Sequence, residues 1–342
     1  MRVAMYYSNS DVRIEEMSVP EIGPGEILMK VHASGICGSD VMFWYRKDKV
    51  PLVLGHEAAG VVEKIGEDVE GFEPGDNIVA AHHVPCDDCH YCASGHHTVC
   101  NTLRSTHFHP GGFAEYLRLP RINVECGTFK FPKNFNFDEA SFAEPVACVL
   151  RSHHLVNVRK GSTVLVLGSG ISGMLHVHLA KQLSDCRVFA TDVSEYRLKA
   201  AGKFGAEKAI NAKEYSPETL RDINNGRLAD LVVICTGAPQ AIEQALESVE
   251  RGGTVLFFAA AGRDEKIPLP INEIFWRNEV TLTSSYAGSP KDYKDALDLI
   301  VAGKLDVRDM ITHRLPLART QEGFKLVSEA DESLKVIIEP QK

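Results

Sequence analysis

The chain has 342 residues, more than a single hydrophobic core usually accommodates, so two domains are expected. Its formal net charge of −9 supplies no overall positive field, which argues against nucleic acid as a partner. No stretch is apolar for long enough to span a bilayer, and the opening MRVAMYYSNSDVRIEE lacks the apolar block of a secretory signal, so a cytoplasmic chain without a membrane partner is expected.

From residue 1 to about 144 the sequence reads as short strands punctuated by Gly and Pro turns, of which EILMKVHA, HEAAGVVEKIG and DNIVAAHHV are the clearest. Cys37 lies in GICGSD, and His56 and Glu57 lie in LGHEAAG. A catalytic zinc needs about three protein ligands and one open position, and Cys, His and carboxylate are suitable donors, so these three residues form a candidate set. Glu144, in FAEPVACV, is a candidate for a further ligand or for a carboxylate that holds the metal's water. Asp40 is placed to accept the other ring N–H of His56, or else to cap a turn. Ser39 is a candidate first acceptor of a substrate hydroxyl proton. Phe43, Trp44 and Phe113 are candidates for a substrate pocket, and equally for core.

Four of the nine cysteines, Cys86, Cys89, Cys92 and Cys100, crowd into one loop with the spacing C-x2-C-x2-C-x7-C. Thiolates so close in sequence can wrap one small cation, and four of them close a tetrahedron, the arrangement of a structural zinc in a reducing compartment. An iron–sulfur cluster and unligated thiols are the competing readings. Since four sulfurs saturate the ion, His82, His83, His90, His96 and His97 are expected to be surface residues.

From about Val158 the pattern changes to strands alternating with amphipathic helices: TVLVLG, a helix over 174–183, RVFATD, a helix over 195–204, LVVICTG and TVLFFAA. Such alternation predicts a parallel sheet covered on both faces. Gly168, Gly170, Ile171, Ser172 and Gly173, in GSGISG, sit between a strand and a helix, where a tight turn lets a pyrophosphate approach the helix N-terminus. Asp192 ends the next strand, nineteen residues beyond Gly173, and suits the adenosine ribose hydroxyls of NAD; its charge repels the extra phosphate of NADP, a preference that Arg197 softens. Thr236, Gly237 and residues 258–261 follow later strands and are placed for the nicotinamide end. A helix over 293–302 and a strand, LKVIIEP, close the chain.

With GICGSD, GHE, the four-cysteine loop, AEP and GSGISG in this order, nearly the whole chain resembles the zinc-containing medium-chain dehydrogenase/reductase family, especially its sorbitol and threonine dehydrogenase branches. The resemblance implies an α/β two-domain fold: a GroES-like β-barrel catalytic domain over residues 1–146, completed by 287–342, and a doubly wound Rossmann coenzyme domain over 147–286. It further implies two zinc ions per chain and NAD, with Cys37, His56 and Glu57 as catalytic zinc ligands, Glu144 as ligand or water partner, Ser39 as first proton acceptor, and a homodimer or homotetramer built partly through residues 279–285. Two positions depart from the pattern: Met42 stands where many relatives have histidine, and Ser285 where polyol members often have arginine.

The expected activity is oxidation of a secondary alcohol of a small polar metabolite (a polyol, sugar acid or hydroxy amino acid) to a ketone by hydride transfer to NAD. Motifs do not set direction, so a biosynthetic ketone reductase is the alternative within the family, and a catalytically inactive NAD-binding sensor is the alternative outside catalysis.

Overall fold

The computed structural model describes residues 1–156 and 158–342; Asn157, inside the second expected domain, lies outside them. Contacts group the chain into two compact units, Met1–Ala147 with Ala287–Lys342, and Cys148–Tyr286. The first unit holds β1 (Arg2–Ser8), β2 (Asp11–Glu16), β3 (Ile27–Gly35), β4 (Leu52–Val53), β5 (Glu57–Ile65), β6 (Asn77–Ala80), β7 (Tyr116–Leu119) and β8 (Thr128–Lys130). The second holds β9 (Thr163–Leu167), β10 (Arg187–Asp192), β11 (Lys208–Asn211), β12 (Ala229–Ile234), β13 (Val249–Phe257) and β14 (Thr281–Ser284), after which β15 (Ile311–Pro316) and β16 (Lys335–Glu339) rejoin the first.

In the first unit, a seven-stranded sheet runs β15-β16-β3-β5-β6-β8, with β7 also paired to β3, and a three-stranded sheet runs β2-β1-β4. The β3 strand is the hub. Its Ile27, Met29 and Val31 pack with Val62, Ile78, Leu117 and Leu119 in one apolar cluster, and burial of this kind stabilises by roughly 2 kcal/mol per large side chain. A second cluster joins Val3, Tyr6, Phe113, Leu315, Phe324, Val336 and Ile338. Phe113 is therefore core rather than pocket lining, whereas Phe43 and Trp44 lie exposed on the one-turn helix Phe43–Arg46.

Register positions the chemistry. Gly35, the last residue of β3, pairs with Glu57 at the start of β5 and with Ile337 of β16, both antiparallel. Just beyond, the Ile36 N–H donates to the Val336 carbonyl at 2.9 Å, so Cys37, His56, Glu57 and Lys335 arrive at one place from three strand ends.

The second unit is one six-stranded parallel sheet in the order β11-β10-β9-β12-β13-β14. All five residues of β9 are buried, as expected for a central strand covered on both faces. The order reverses between β9 and β12, which is where open parallel sheets leave a crevice beyond their carboxyl ends.

Candidate active site and coenzyme site

Ligand atoms of Cys37, His56 and Glu57 all lie within 4.8 Å of one another. Asp40, fully buried, holds this corner in two ways. Its Oδ2 accepts the Cys37 backbone N–H at 3.0 Å, and its Oδ1 lies 3.4 Å from His56 Nδ1 and 3.7 Å from the Arg46 guanidinium. Both sequence readings of Asp40, turn cap and histidine orienter, thus hold at once, and the Nε2 of His56 is left for a ligand. Burial opposes the charged imidazole, but Asp40 outweighs it and lifts His56 well above its ordinary pKa in the metal-free chain. A ligated imidazole is deprotonated, so this preference is one that metal binding must overcome.

Sequence reasoning missed Lys335. This lysine is wholly buried, and its ammonium donates to Glu57 Oε2 and, at 3.3 Å, to the Ile36 carbonyl. Burial disfavours its charge, yet Glu57, Cys37 and Glu144 together raise its pKa. The other carboxylate oxygen, Glu57 Oε1, is buried with no hydrogen-bond partner. Unpaired buried carboxylate oxygens are costly, and a cation shared with Cys37 and His56 satisfies the requirement, so the residues present fit a zinc. Glu144 is outside the 4.8 Å group, although its charge is felt at Lys335. Ser39 lies in the same loop, and its carbonyl accepts from Arg46 Nε at 3.4 Å.

Two of the histidines expected at the surface are part-buried instead. The His82 ring sits 5.9 Å from that of His56 and edge-on to Phe108, and its Nδ1 accepts the Phe108 N–H at 3.4 Å. Burial lowers its pKa well below the usual value. His83 donates Nδ1 to the Thr106 carbonyl at 2.6 Å, and burial takes its pKa down to about 4. The strand-like DNIVAAHHV was visible in sequence, but not that its end runs beside His56. His90 and His96 are exposed, as expected, and His97 is partly so.

Cys86, Cys89, Cys92 and Cys100 also lie within 4.8 Å of one another. The Cys86–Cys100 and Cys89–Cys92 sulfurs are 3.5 and 3.6 Å apart. Four sulfurs at about 2.3 Å from a central zinc would be about 3.8 Å apart, so the loop is already folded to the dimensions of the ion. Burial pushes the Cys92 thiol up to about 12, whereas for Cys100 burial is outweighed by donated backbone N–H groups, which bring it down to about 6. No disulfide is formed among the described residues.

In the second unit Gly168 adopts φ +92° at the end of β9, a conformation costly for any side chain, and Gly170 caps the helix Ile171–Ser184. A Cβ on Gly173 would stand 2.0 Å from the Gly168 carbonyl oxygen, which is why the turn can be so tight. Around Gly170 the nearest group to such a Cβ is Arg197 Nη1, 3.8 Å away, so the first turn of the helix, with Ile171 and Ser172, is an open cradle. Asp192 accepts the Ser169 N–H at 2.7 Å through Oδ2 and the Ser194 N–H at 2.9 Å through Oδ1. Ser169 and Ser194, neither singled out in the sequence, therefore fix the carboxylate. Thr236 follows β12 beside Gly168 and accepts the Ala238 N–H, and Gly237 packs against the Ala260 carbonyl. These residues fit a dinucleotide: glycine turn, helix start and oriented acid lie on adjoining strand ends.

Known proteins resemble this chain over both units. The alcohol dehydrogenase GroES-like domain matches residues 23–126, and the zinc-binding dehydrogenase model matches residues 172–302. The chain is 30% identical to D-xylulose reductase A of Aspergillus oryzae, over 96% of this chain and 93% of the relative. It is 29% identical to sorbitol dehydrogenase of Bacillus subtilis (strain 168), over 100% and 98%. A Sinorhizobium meliloti 1021 protein classed with the zinc-binding dehydrogenases and bound to NADP superposes with a TM-score of 0.87 at 27% identity, covering 99% of each chain. The chain belongs to the zinc-containing medium-chain dehydrogenase/reductase family, zinc-dependent oxidoreductases of alcohols and polyols, with the GroES-like and Rossmann domains that its motifs imply. No helix among the described residues is long and apolar enough to cross a membrane.

Proposed function

We propose that this chain oxidises a secondary alcohol of a polyol-like metabolite to a ketone, using NAD and two zinc ions, one held by Cys37, His56 and Glu57 and one by Cys86, Cys89, Cys92 and Cys100. The observation that carries the reading is the first triad, three donors of different chemistry within 4.8 Å with the buried Glu57 Oε1 unpartnered. A zinc there supplies the electrophile that acidifies a hydroxyl, and the dinucleotide supplies the hydride acceptor. The chain's own residues do the rest. Asp40 orients His56, Ser39 takes the hydroxyl proton, Glu144 approaches as a further carboxylate, and Arg46 and Lys335 balance the negative charge of the corner.

For the coenzyme, NAD is favoured over NADP because Asp192 presents a carboxylate anchored by two backbone N–H groups at the end of β10, where an added phosphate would meet its charge. Ile171 and Ser172 open the helix that faces the pyrophosphate; Arg197, Thr236 and Gly237 complete the set. The thiols suit a reducing cytoplasm. The β14 strand, paired on one side only among the described residues, suits a homo-oligomer joined at that edge.

The deciding experiment is a panel of sugar alcohols, sugar acids, inositols, threonine and simple secondary alcohols with NAD and NADP, together with zinc quantification. Turnover of a polyol with NAD and two zinc ions per chain is expected. Two zinc ions with no turnover of any secondary alcohol or ketone would leave the fold and defeat the activity, whereas NAD binding with one zinc alone would point to a sensor.

A further inference from the structure

Lysine is among the residues least often buried, and an unpaired ammonium in a protein interior is strongly disfavoured. Lys335 has no exposed surface, and its ammonium is fixed on three sides. It donates to Glu57 Oε2 and to the Ile36 carbonyl, and it lies 5.8 Å from the centre of the buried Phe142 ring. The site is cut for this pair: a Cβ on Gly35 would stand 1.9 Å from Glu57 Oε2 and 3.2 Å from Lys335 Cε. The carboxylate is thereby divided, with Oε2 claimed by the lysine and Oε1 unpartnered.

We infer that Lys335 is a positioning residue that makes Glu57 a loose, exchangeable ligand of the metal. Its fixed positive charge holds one carboxylate oxygen, draws charge from the other and repels the incoming cation, so Glu57 yields its coordination position readily when substrate needs it. The inference rests on assigning Cys37, His56 and Glu57 to a zinc.

The consequence runs against the usual expectation for a residue beside a metal. Neutralising Lys335 should tighten the ion. In the zinc-loaded full chain, Lys335→Met is expected to slow chelator-driven release of the zinc held by Cys37, His56 and Glu57 about tenfold or more and to raise KM for the alcohol several-fold more than it lowers kcat. Lys335→Arg, which keeps the charge, is expected to restore both values. Should Lys335→Met fail to fold, Lys335→Gln, which still donates to Oε2, reads out the same way. Zinc release from the neutral variant as fast as from the parent chain, or faster, would show a lysine that only fills space and would overturn the inference. A parent chain that takes up one zinc and loses it in Cys100→Ser would instead overturn the assignment of the triad itself.

Discussion

Gly35 and Glu57 face each other across β3 and β5 so closely that a single added methyl at position 35 would overlap the Glu57 carboxylate at 1.9 Å. Gly35→Ala is therefore expected to displace Glu57 from Lys335 and to destabilise the chain by roughly 3 kcal/mol, the sum of overpacking and a disturbed buried pair. Gly38→Ala is the control. A Cβ there meets nothing within 4 Å, so its effect is expected to stay within about 0.5 kcal/mol in urea unfolding.

Ser39→Ala removes the hydroxyl without touching a proposed ligand. Turnover is expected to fall about a hundredfold with zinc content unchanged, measured by steady-state kinetics beside metal analysis. A fully active variant would remove Ser39 from proton transfer.

Asp192→Asn keeps the size of the side chain and loses its charge. One of the two backbone N–H groups now held by the carboxylate would face an amide NH2, so kcat/KM with NAD is expected to drop about tenfold or more. The ratio of NAD to NADP efficiency is expected to fall in step, and an unchanged ratio would mean that discrimination lies elsewhere.

Cys100→Ser opens the four-sulfur loop. Metal content is expected to fall by one zinc per chain and stability by roughly 2 kcal/mol or more, while zinc at the Cys37 site is retained. Metal analysis and protease sensitivity of the loop check both statements.

The second unit carries an acid-sensitive pair. His153 Nε2 lies 3.1 Å from His176 Nδ1, and burial takes His153 down to about 4 and His176 well below its ordinary 6.5. Each imidazole is more easily protonated unfolded than folded, so the unfolded chain binds more protons in the window between. Stability is full above about pH 6.5 and is lost as pH falls toward 4, by roughly 3 kcal/mol for His153. Urea unfolding at pH 7 and pH 4.5 should show the loss, and His153→Gln should flatten it.

Much of this was legible in the residues. The four cysteines and the glycine turn are local patterns whose chemistry is complete within one loop, so spacing alone revealed them. Cys37 and His56 needed the order of motifs along the chain to be paired. Lys335 gave no signal because a lysine opening a strand normally points to water; only the register of β16 on β3 turns it inward. His82 was misread because a histidine not needed by the four-sulfur ion was taken for a surface residue, whereas Phe108 and His56, on other segments, lie against its ring. For Phe113 the sequence left pocket and core equally open, and packing against Phe324 decides for core.

The pairing of Glu57 with Lys335 spans 278 residues of chain. At synthesis rates of about 5–20 residues per second, Glu57 emerges roughly a quarter of a minute to a minute before its cation exists. During that interval Cys37, His56 and Glu57 are all present and the carboxylate has no ammonium to answer it. The corner is thus more negative before the last strand arrives than after it, and that strand closes the sheet and neutralises the buried carboxylate in a single step.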